Sequence, residues 1–283
     1  MPVPWSRIAP GLRAVNWRRL LPARPEQSER PVQQAAWWSQ STVWLDGHRA
    51  CRFSAAGQAE AVFPLASPYE ISAALPALDA MLPNPQRPGV HRLRLLVGAP
   101  FACYFALPWR ALPRPVDWLP LARMQFVQGG VGGAESWRFD IQDNGWGRPR
   151  LAAAVPELLC EHLTRLCRQH KISLHAVEPA YTYAVAQHRR HIADGEIVVV
   201  ELEEMETRGA YVANIGFRSH GHWSGFVTLP AVDSLDAVLR DAASLCDAPP
   251  PERIYIIAPA SADRRAADAS RTHWLQAPWD VPV

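Results

Sequence analysis

Two stretches of this 283-residue chain each open on paired β-rich runs and continue through helix and strand. That repetition constrains the fold more than any other feature. The first run is Thr42-Val43-Trp44-Leu45-Asp46-Gly47-His48-Arg49, continuing as Ala50-Cys51-Arg52-Phe53. The second is Glu196-Ile197-Val198-Val199-Val200-Glu201-Leu202-Glu203, then Ala210-Tyr211-Val212-Ala213-Asn214-Ile215-Gly216-Phe217. Short apolar, β-branched runs bounded by turn residues read as strands. Two halves that each begin as a meander and end in αβ units describe a duplicated, cleft-containing α/β protein.

The chain divides into an N-terminal arm, residues 1–36, a first half, 37–190, and a second half with a C-terminal segment, 191–283. In the first half, Asp46-Gly47 is the strongest hairpin signal, and strands are expected at Ser41–Leu45, Arg49–Ser54 and Glu60–Leu65. A helix from Ser67 to Met81 follows, with Ser67-Pro68 as its start and Pro83 as its stop. Strands at Arg92–Gly98 and Cys103–Pro108 flank Ala99-Pro100. A helix over Val116–Val127 leads to the glycine loop Gly129–Gly133, then to strands Ser136–Gln142 and Pro149–Val155. Leu158, Leu159, Leu163, Leu166 and Cys167 recur on one face of a helix from Pro156 to His170. A strand at Ser173–Val177 and a helix to Arg190 close this half. The second half reads as a meander, Glu196–Glu203, Gly209–Phe217 and His222–Leu229, then a helix capped by Ser234 and a strand at Arg253–Ile257. The last thirty residues carry Trp274 and Trp279, which are expected to dock on the body.

The net charge of +2 is too small to argue for nucleic acid or a membrane. Its distribution is uneven. The arm holds six arginines (Arg7, Arg13, Arg18, Arg19, Arg24, Arg30) against Glu26 and Glu29, which leaves +4 there and −2 in the rest. Proline, arginine and glutamine without a sustained apolar period read as an extended or partly ordered arm, with a short docking segment at Leu12–Leu21 as the alternative. Cys51, Cys103, Cys160, Cys167 and Cys246 are odd in number and lack CxxC spacing. Cys160 and Cys167 lie two helical turns apart, which favours burial over metal binding. No secretory leader and no apolar run of about 20 residues is found, so a reducing, cytoplasmic location is expected.

The order of strings from Leu107 to His188 resembles the first half of the actin-like (ASKHA) platform proteins of type IV pilus and type II secretion machines, the PilM-like and GspL-like components. The strings are Leu107-Pro108-Trp109 at a strand end, Ala122-Arg123-Met124-Gln125-Phe126 on a helix, Ser136-Trp137-Arg138-Phe139, Arg150-Leu151-Ala152-Ala153-Ala154-Val155, and His175-Ala176-Val177-Glu178-Pro179. The resemblance covers residues 40–260. It implies an α/β, duplicated actin-like (ribonuclease H-like) two-subdomain fold with a mixed β-sheet in each half. Trp109 is then expected to be mostly buried beside the helix that starts near Val116.

Actin-like ATPases grip phosphates at two hairpin turns, each with an Asp, a small Gly and a hydroxyl, because backbone N–H groups must approach closely and a carboxylate must hold Mg²⁺. The first turn here, Asp46-Gly47-His48-Arg49, has no Ser or Thr partner. The second, Glu203-Glu204-Met205-Glu206-Thr207-Arg208-Gly209, would set acidic groups against phosphate. ATP hydrolysis is not expected, and the GspL-like branch is likewise thought to work without nucleotide. Asp46 is the one residue assigned a vestigial phosphate-site role. No cofactor, metal site or catalytic residue is expected.

Other motifs carry less. Gly129–Gly133 lacks the Lys-Ser/Thr of a phosphate loop and reads as a hairpin connection. His220-Gly221-His222 supplies at most two of the ligands zinc requires and reads as a turn. Ser224-Gly225 lies within a strand, not at a nucleophile elbow. The acidic run Glu201, Glu203, Glu204 and Glu206 reads as a solvated edge, with a docking patch for a basic partner as the alternative.

In the family resembled, the platform binds a short N-terminal peptide of its membrane partner, of the form hydrophobic-Asn-Leu-Leu-Pro-x-Arg-x-Glu. Asn16, Leu20, Leu21, Pro22, Arg24 and Glu26 match it, with Trp17-Arg18-Arg19 inserted; a chance match is the alternative. The resemblance therefore implies a non-catalytic scaffold, a pseudo-ATPase at most. Its expected partner is a protein of an inner-membrane pilus or secretion platform, reached from the cytoplasm, with no nucleic acid and no membrane insertion. Homo-oligomerisation stays open. So do an eroded actin-like nucleotide-binding ATPase and an adaptor unrelated to pili.

Overall fold

A computed structural model describes residues 38–54, 57–64, 70–83, 89–130, 133–142, 144–205, 210–231, 234–262 and 270–279. The arm, with Asn16, Leu20, Leu21, Pro22 and Arg24, lies outside them. So does much of the second turn, residues 206–209. Residues 37–283 make one compact unit.

The chain runs β1 (Trp38–Leu45), β2 (Arg49–Ser54), β3 (Gly57–Val62), α1 (Ala74–Met81) and β4 (Val90–Val97), then β5 (Cys103–Leu107), α2 (Trp118–Gln128), β6 (Trp137–Ile141), β7 (Arg150–Pro156) and α3 (Glu157–Gln169). β8 (Ser173–Pro179) and α4 (Ala180–Gln187) lead to β9 (Ile197–Glu204), β10 (Tyr211–Ser219), β11 (His222–Ala231), α5 (Leu235–Leu245), β12 (Arg253–Ala258) and β13 (Thr272–Gln276). One five-stranded sheet has the order β3-β2-β1-β4-β8 and the other β11-β10-β9-β12-β13. In each, three strands form an antiparallel meander and the first of them continues into two parallel neighbours. Identical order and direction in both halves is the duplicated ribonuclease H-like pattern of the actin-like fold. Between β4 and β8 the first half carries an antiparallel three-stranded sheet, β5-β7-β6, with α2 packed on it.

Most expected elements are present, with informative differences. α1 starts at Ala74 and not near Ser67, which places Pro76 in the first turn, where a missing N–H costs no helical hydrogen bond. Leu158 does not join Leu159, Leu163, Leu166 and Cys167; it is exposed at the start of α3. Gly129 ends α2, and the chain passes through a short 3-10 turn, Ala134–Ser136, into β6, so the glycine segment joins helix to strand. β13, in the Pro- and Asp-rich terminal segment, lacked a sequence signal and pairs in parallel with β12.

Trp109 corrects an expectation. It is not core; it lies at the surface against Trp146. The tryptophan that packs between β5, β7 and α2 is Trp118, which is fully buried and donates its Nε1 hydrogen to the Leu112 carbonyl at 3.2 Å.

The halves share a core. Trp44 of β1 stacks on Trp279 with centroids 5.3 Å apart and planes 9° apart. Tyr181 of α4 donates its hydroxyl to the Val199 carbonyl of β9 at 3.1 Å, while its own N–H donates to Tyr104 Oη at 3.0 Å. Gly216 in β10 allows this approach, because a Cβ there would come within 2.4 Å of Tyr181 Oη and 2.5 Å of the Trp223 ring.

Candidate functional site

β9 explains how charged groups come to lie between the halves. Alternation along a strand puts Val198, Val200 and Leu202 on the face that packs against α5, and Ile197, Val199, Glu201 and Glu203 on the face toward the first half. Both glutamates are buried. The reading of the acidic run as a solvated edge is therefore corrected for Glu201 and Glu203. The sequence signal for it was the period of two: residues 201 and 203 continue the face of Ile197 and Val199.

Glu203 reaches the turn that follows β4. Both its carboxylate oxygens accept from the Ala99 N–H, at 2.8 and 3.0 Å. Gly98 makes room for it, since a Cβ at that position would lie 2.2 Å from Glu203 Oε2. Asn214, opposite Glu201 on β10, donates its amide to Glu203 Oε1 at 2.8 Å and to Glu201 Oε2 at 3.0 Å. The Asn214 carbonyl accepts from Thr228 Oγ1 at 2.9 Å. The amide orientation is thus fixed by its neighbours. Glu201 Oε1 is buried without a hydrogen-bond partner.

Burial raises the pKa of both groups. Glu201 is pushed up to about 8 despite hydrogen bonds from Asn214 and with Glu203. Glu203 rises well above the ordinary carboxylate range through burial and then through the charge of Glu201, against the hydrogen bond from Ala99. Two carboxyl groups in one dry site favour holding a proton between them at neutral pH.

At the first turn, Asp46 is buried and folded back on its own hairpin. Its Oδ1 accepts from the His48 and Arg49 N–H groups at 2.9 and 2.8 Å, and its Oδ2 from Arg49 Nε at 3.2 Å. Burial raises its pKa, opposed by His48 and Arg49. Arg49 ties the mouth of the cleft together: it lies 3.6 Å from Glu60, 3.9 Å from Glu204 on β9, and over the Trp44 ring at 5.0 Å. Asp46, Arg49 and Glu204 are therefore brought together across the two sheets. Trp279, stacked on Trp44, lines with it and Arg49 a small recess of about 70 Å³.

A larger open pocket of about 340 Å³ lies away from these turns, between α4, the β6–β7 connection and the β10–β11 turn. Arg189, Arg218 and Asp194 are its charged lining groups. His220 and Gly221 form the tip of that β10–β11 turn, and no group of three or more metal-ligating side chains is found among the described residues.

No protein-family model matches this chain, and no curated protein does. Among solved structures, the chain is similar to the cytoplasmic domain of EpsL, an inner membrane component of the type II secretion system of Vibrio cholerae. The identity is 11%, covering 84% of this chain and 89% of that one, with a TM-score of 0.49. It is similar to the PilM–PilN type IV pilus biogenesis complex at 8% identity, covering 77% and 81%, with a TM-score of 0.48. A protein of actin-like ATPase fold and unknown function from Bacteroides thetaiotaomicron VPI-5482 matches at 8% identity, covering 78% and 81%, with a TM-score of 0.46. The actin-like fold of this chain rests on the matching strand order of its two sheets.

Proposed function

We propose that this chain is a non-catalytic scaffold that binds a protein partner in a type IV pilus- or type II secretion-like assembly. One observation carries the non-catalytic part: at the first hairpin turn and at the end of β9, Asp46 and Glu203 are buried and already engaged within the chain. Glu203 holds the Ala99 N–H, and Asp46 is saturated by its own turn. A phosphate brought to the first turn would meet Asp46, Glu60 and Glu204, with Arg49 already shared among them, and would add like charge to that cluster.

The setting is taken from the family resemblance of the sequence: the chain would work at the cytoplasmic side of an inner membrane, reached through its partner. In this reading Asn16, Leu20, Leu21, Pro22 and Arg24 form a partner-like segment, docking as an extended peptide in cis or in a neighbouring copy. Tethering raises its effective concentration to about millimolar, so weak contacts suffice.

Calorimetric titration of the full chain with MgATP tests the first part. No saturable heat is expected at millimolar nucleotide; a saturable signal overturns it in favour of an eroded ATPase. For the second part, a peptide spanning Asn16–Glu26 is titrated into protein cut at Arg30. Binding is expected, and its absence removes the arm from the partner site.

A further inference from the structure

The subdomain formed by β5, β6, β7 and α2 exposes an apolar surface that the core does not use. α2 buries Trp118, Ala122 and Phe126 against the sheet. These lie four residues apart, so Pro120 and Met124, two positions out of step, fall on the outward side, followed by Val127. Met124 is 52% exposed, Val127 51%, and Val116, in the 3-10 turn entering the helix, 50%. Arg123 is the single charged residue in α2. A helix apolar on both sides is ordinarily covered on both. Here only one side is covered among the described residues.

Two indoles extend this surface at the N-terminal end of α2. Trp109 is 38% and Trp146 68% exposed, and they meet edge to face with centroids 5.7 Å apart. Their loops are anchored from below. Trp118 holds the Leu112 carbonyl, the Arg150 guanidinium lies 4.6 Å from the Trp118 ring centre, and Asn144 holds the Pro149 carbonyl at 2.8 Å. Five of the ten large apolar side chains exposed among the described residues belong to this one subdomain, a concentration and not single scattered residues.

The charge around the patch is mainly positive. Arg110, Arg114, Arg123 and Arg148 stand in or beside it, and the only carboxylate over residues 108–130 is Asp117, already held by Arg114 at 3.0 and 3.1 Å. Arg110 and Arg123 have no carboxylate partner among the described residues. The arm, with six arginines against two glutamates, has the wrong charge to cover this face. A helix lying on a sheet offers a ridge and not a groove, which suits a flat partner better than a peptide. Indoles at the level of lipid headgroups, aliphatic side chains beneath and arginines on phosphates are the composition of a membrane-interface surface.

The geometry points to docking of this subdomain on an anionic phospholipid surface, with Trp109, Trp146, Met124 and Val127 entering the headgroup boundary and Arg110 and Arg123 meeting lipid phosphates. No span is involved: among the described residues no helix is long and apolar enough to cross a membrane. The inference stands independently of the scaffold reading.

Flotation of the full chain with vesicles of phosphatidylglycerol and phosphatidylethanolamine, against vesicles of phosphatidylcholine alone, tests it. Binding is expected to the anionic vesicles and to weaken with salt. W146S and M124E, both at exposed positions, are each expected to lower the partition coefficient about ten-fold. R110E together with R123E lowers it by more than the about five-fold expected for loss of one arginine. All variants keep the basic arm, so binding through the arm alone would be unchanged by them. Absence of anionic-vesicle binding, or binding that none of these variants reduces while their melting curves match the parent, overturns the proposal; an acidic protein partner would then be the occupant to seek.

Discussion

Glu201 and Glu203 hold more protons in the folded protein than in the unfolded chain, and this sets how stability depends on pH. A carboxyl whose folded pKa is raised stabilises the fold fully below its unfolded pKa, near 4.5, and loses that contribution as pH climbs through the folded value, about 8 for Glu201. The melting temperature should therefore fall between about pH 5 and pH 8 by way of this pair. Glu201→Gln keeps an oxygen for Asn214 and removes the charge at the unpartnered Oε1. We expect it to flatten that fall and to raise stability at pH 8 by about 1–3 kcal/mol. Thermal melts of both proteins across the range check this; parallel curves would count against it. Gly98 gives a second measurement. Gly98→Ala drives a methyl into the Glu203 carboxylate and should cost about 1–3 kcal/mol. In a Glu203→Ala background the same change should cost little, and the double-mutant cycle reads the difference.

At the scale of elements, periodicity and punctuation in the sequence located nearly every strand and helix of the two halves, because each half-buried element shows its pattern. Ser234 was readable as a cap, and it accepts from the Ala237 N–H at 3.3 Å. What could not be read was context. The apolar runs of β9 and the glutamates after them carry one period, but which face meets the other half depends on the fold being assembled. β13 is held by pairing to β12, a long-range interaction that leaves little trace in Thr272–Gln276. Trp109 and Trp118 show the same limit: both flank Pro-rich segments, and only packing separates them. Trp118→Ala should cost about 3–5 kcal/mol, as expected for a buried aromatic. Trp109→Ala should change stability by less than about 1 kcal/mol. Chemical denaturation of the two variants distinguishes them, and equal losses would return Trp109 to the core.

For the whole molecule, the decisive feature is that one apolar cluster joins both sheets. Trp44, Leu45 and Tyr104 of the first half pack in the same core as Ile197, Val199, Trp223, Ile257 and Trp279 of the second. A boundary near residue 190 divides the repeats but cuts through this core, so the halves should not behave as independent folding units. We expect a single cooperative thermal transition, with calorimetric and van't Hoff enthalpies equal. Trp279→Ala removes the stacking partner of Trp44 and should lower stability by about 3 kcal/mol while leaving the transition single. A fragment ending at residue 190 would expose Trp44, Tyr104 and Tyr181 to water and leave the Ala99 N–H without Glu203. It should lack a cooperative melt. Two resolved transitions in the full chain, or a stably folded 37–190 fragment, would mean that the buried carboxylates and the stacked tryptophans only decorate an interface between domains that fold alone. A joined core also suits a scaffold that does not open and close around a nucleotide: motion of one half against the other would have to break the contact of Glu203 with Ala99 and unstack Trp44 from Trp279 together.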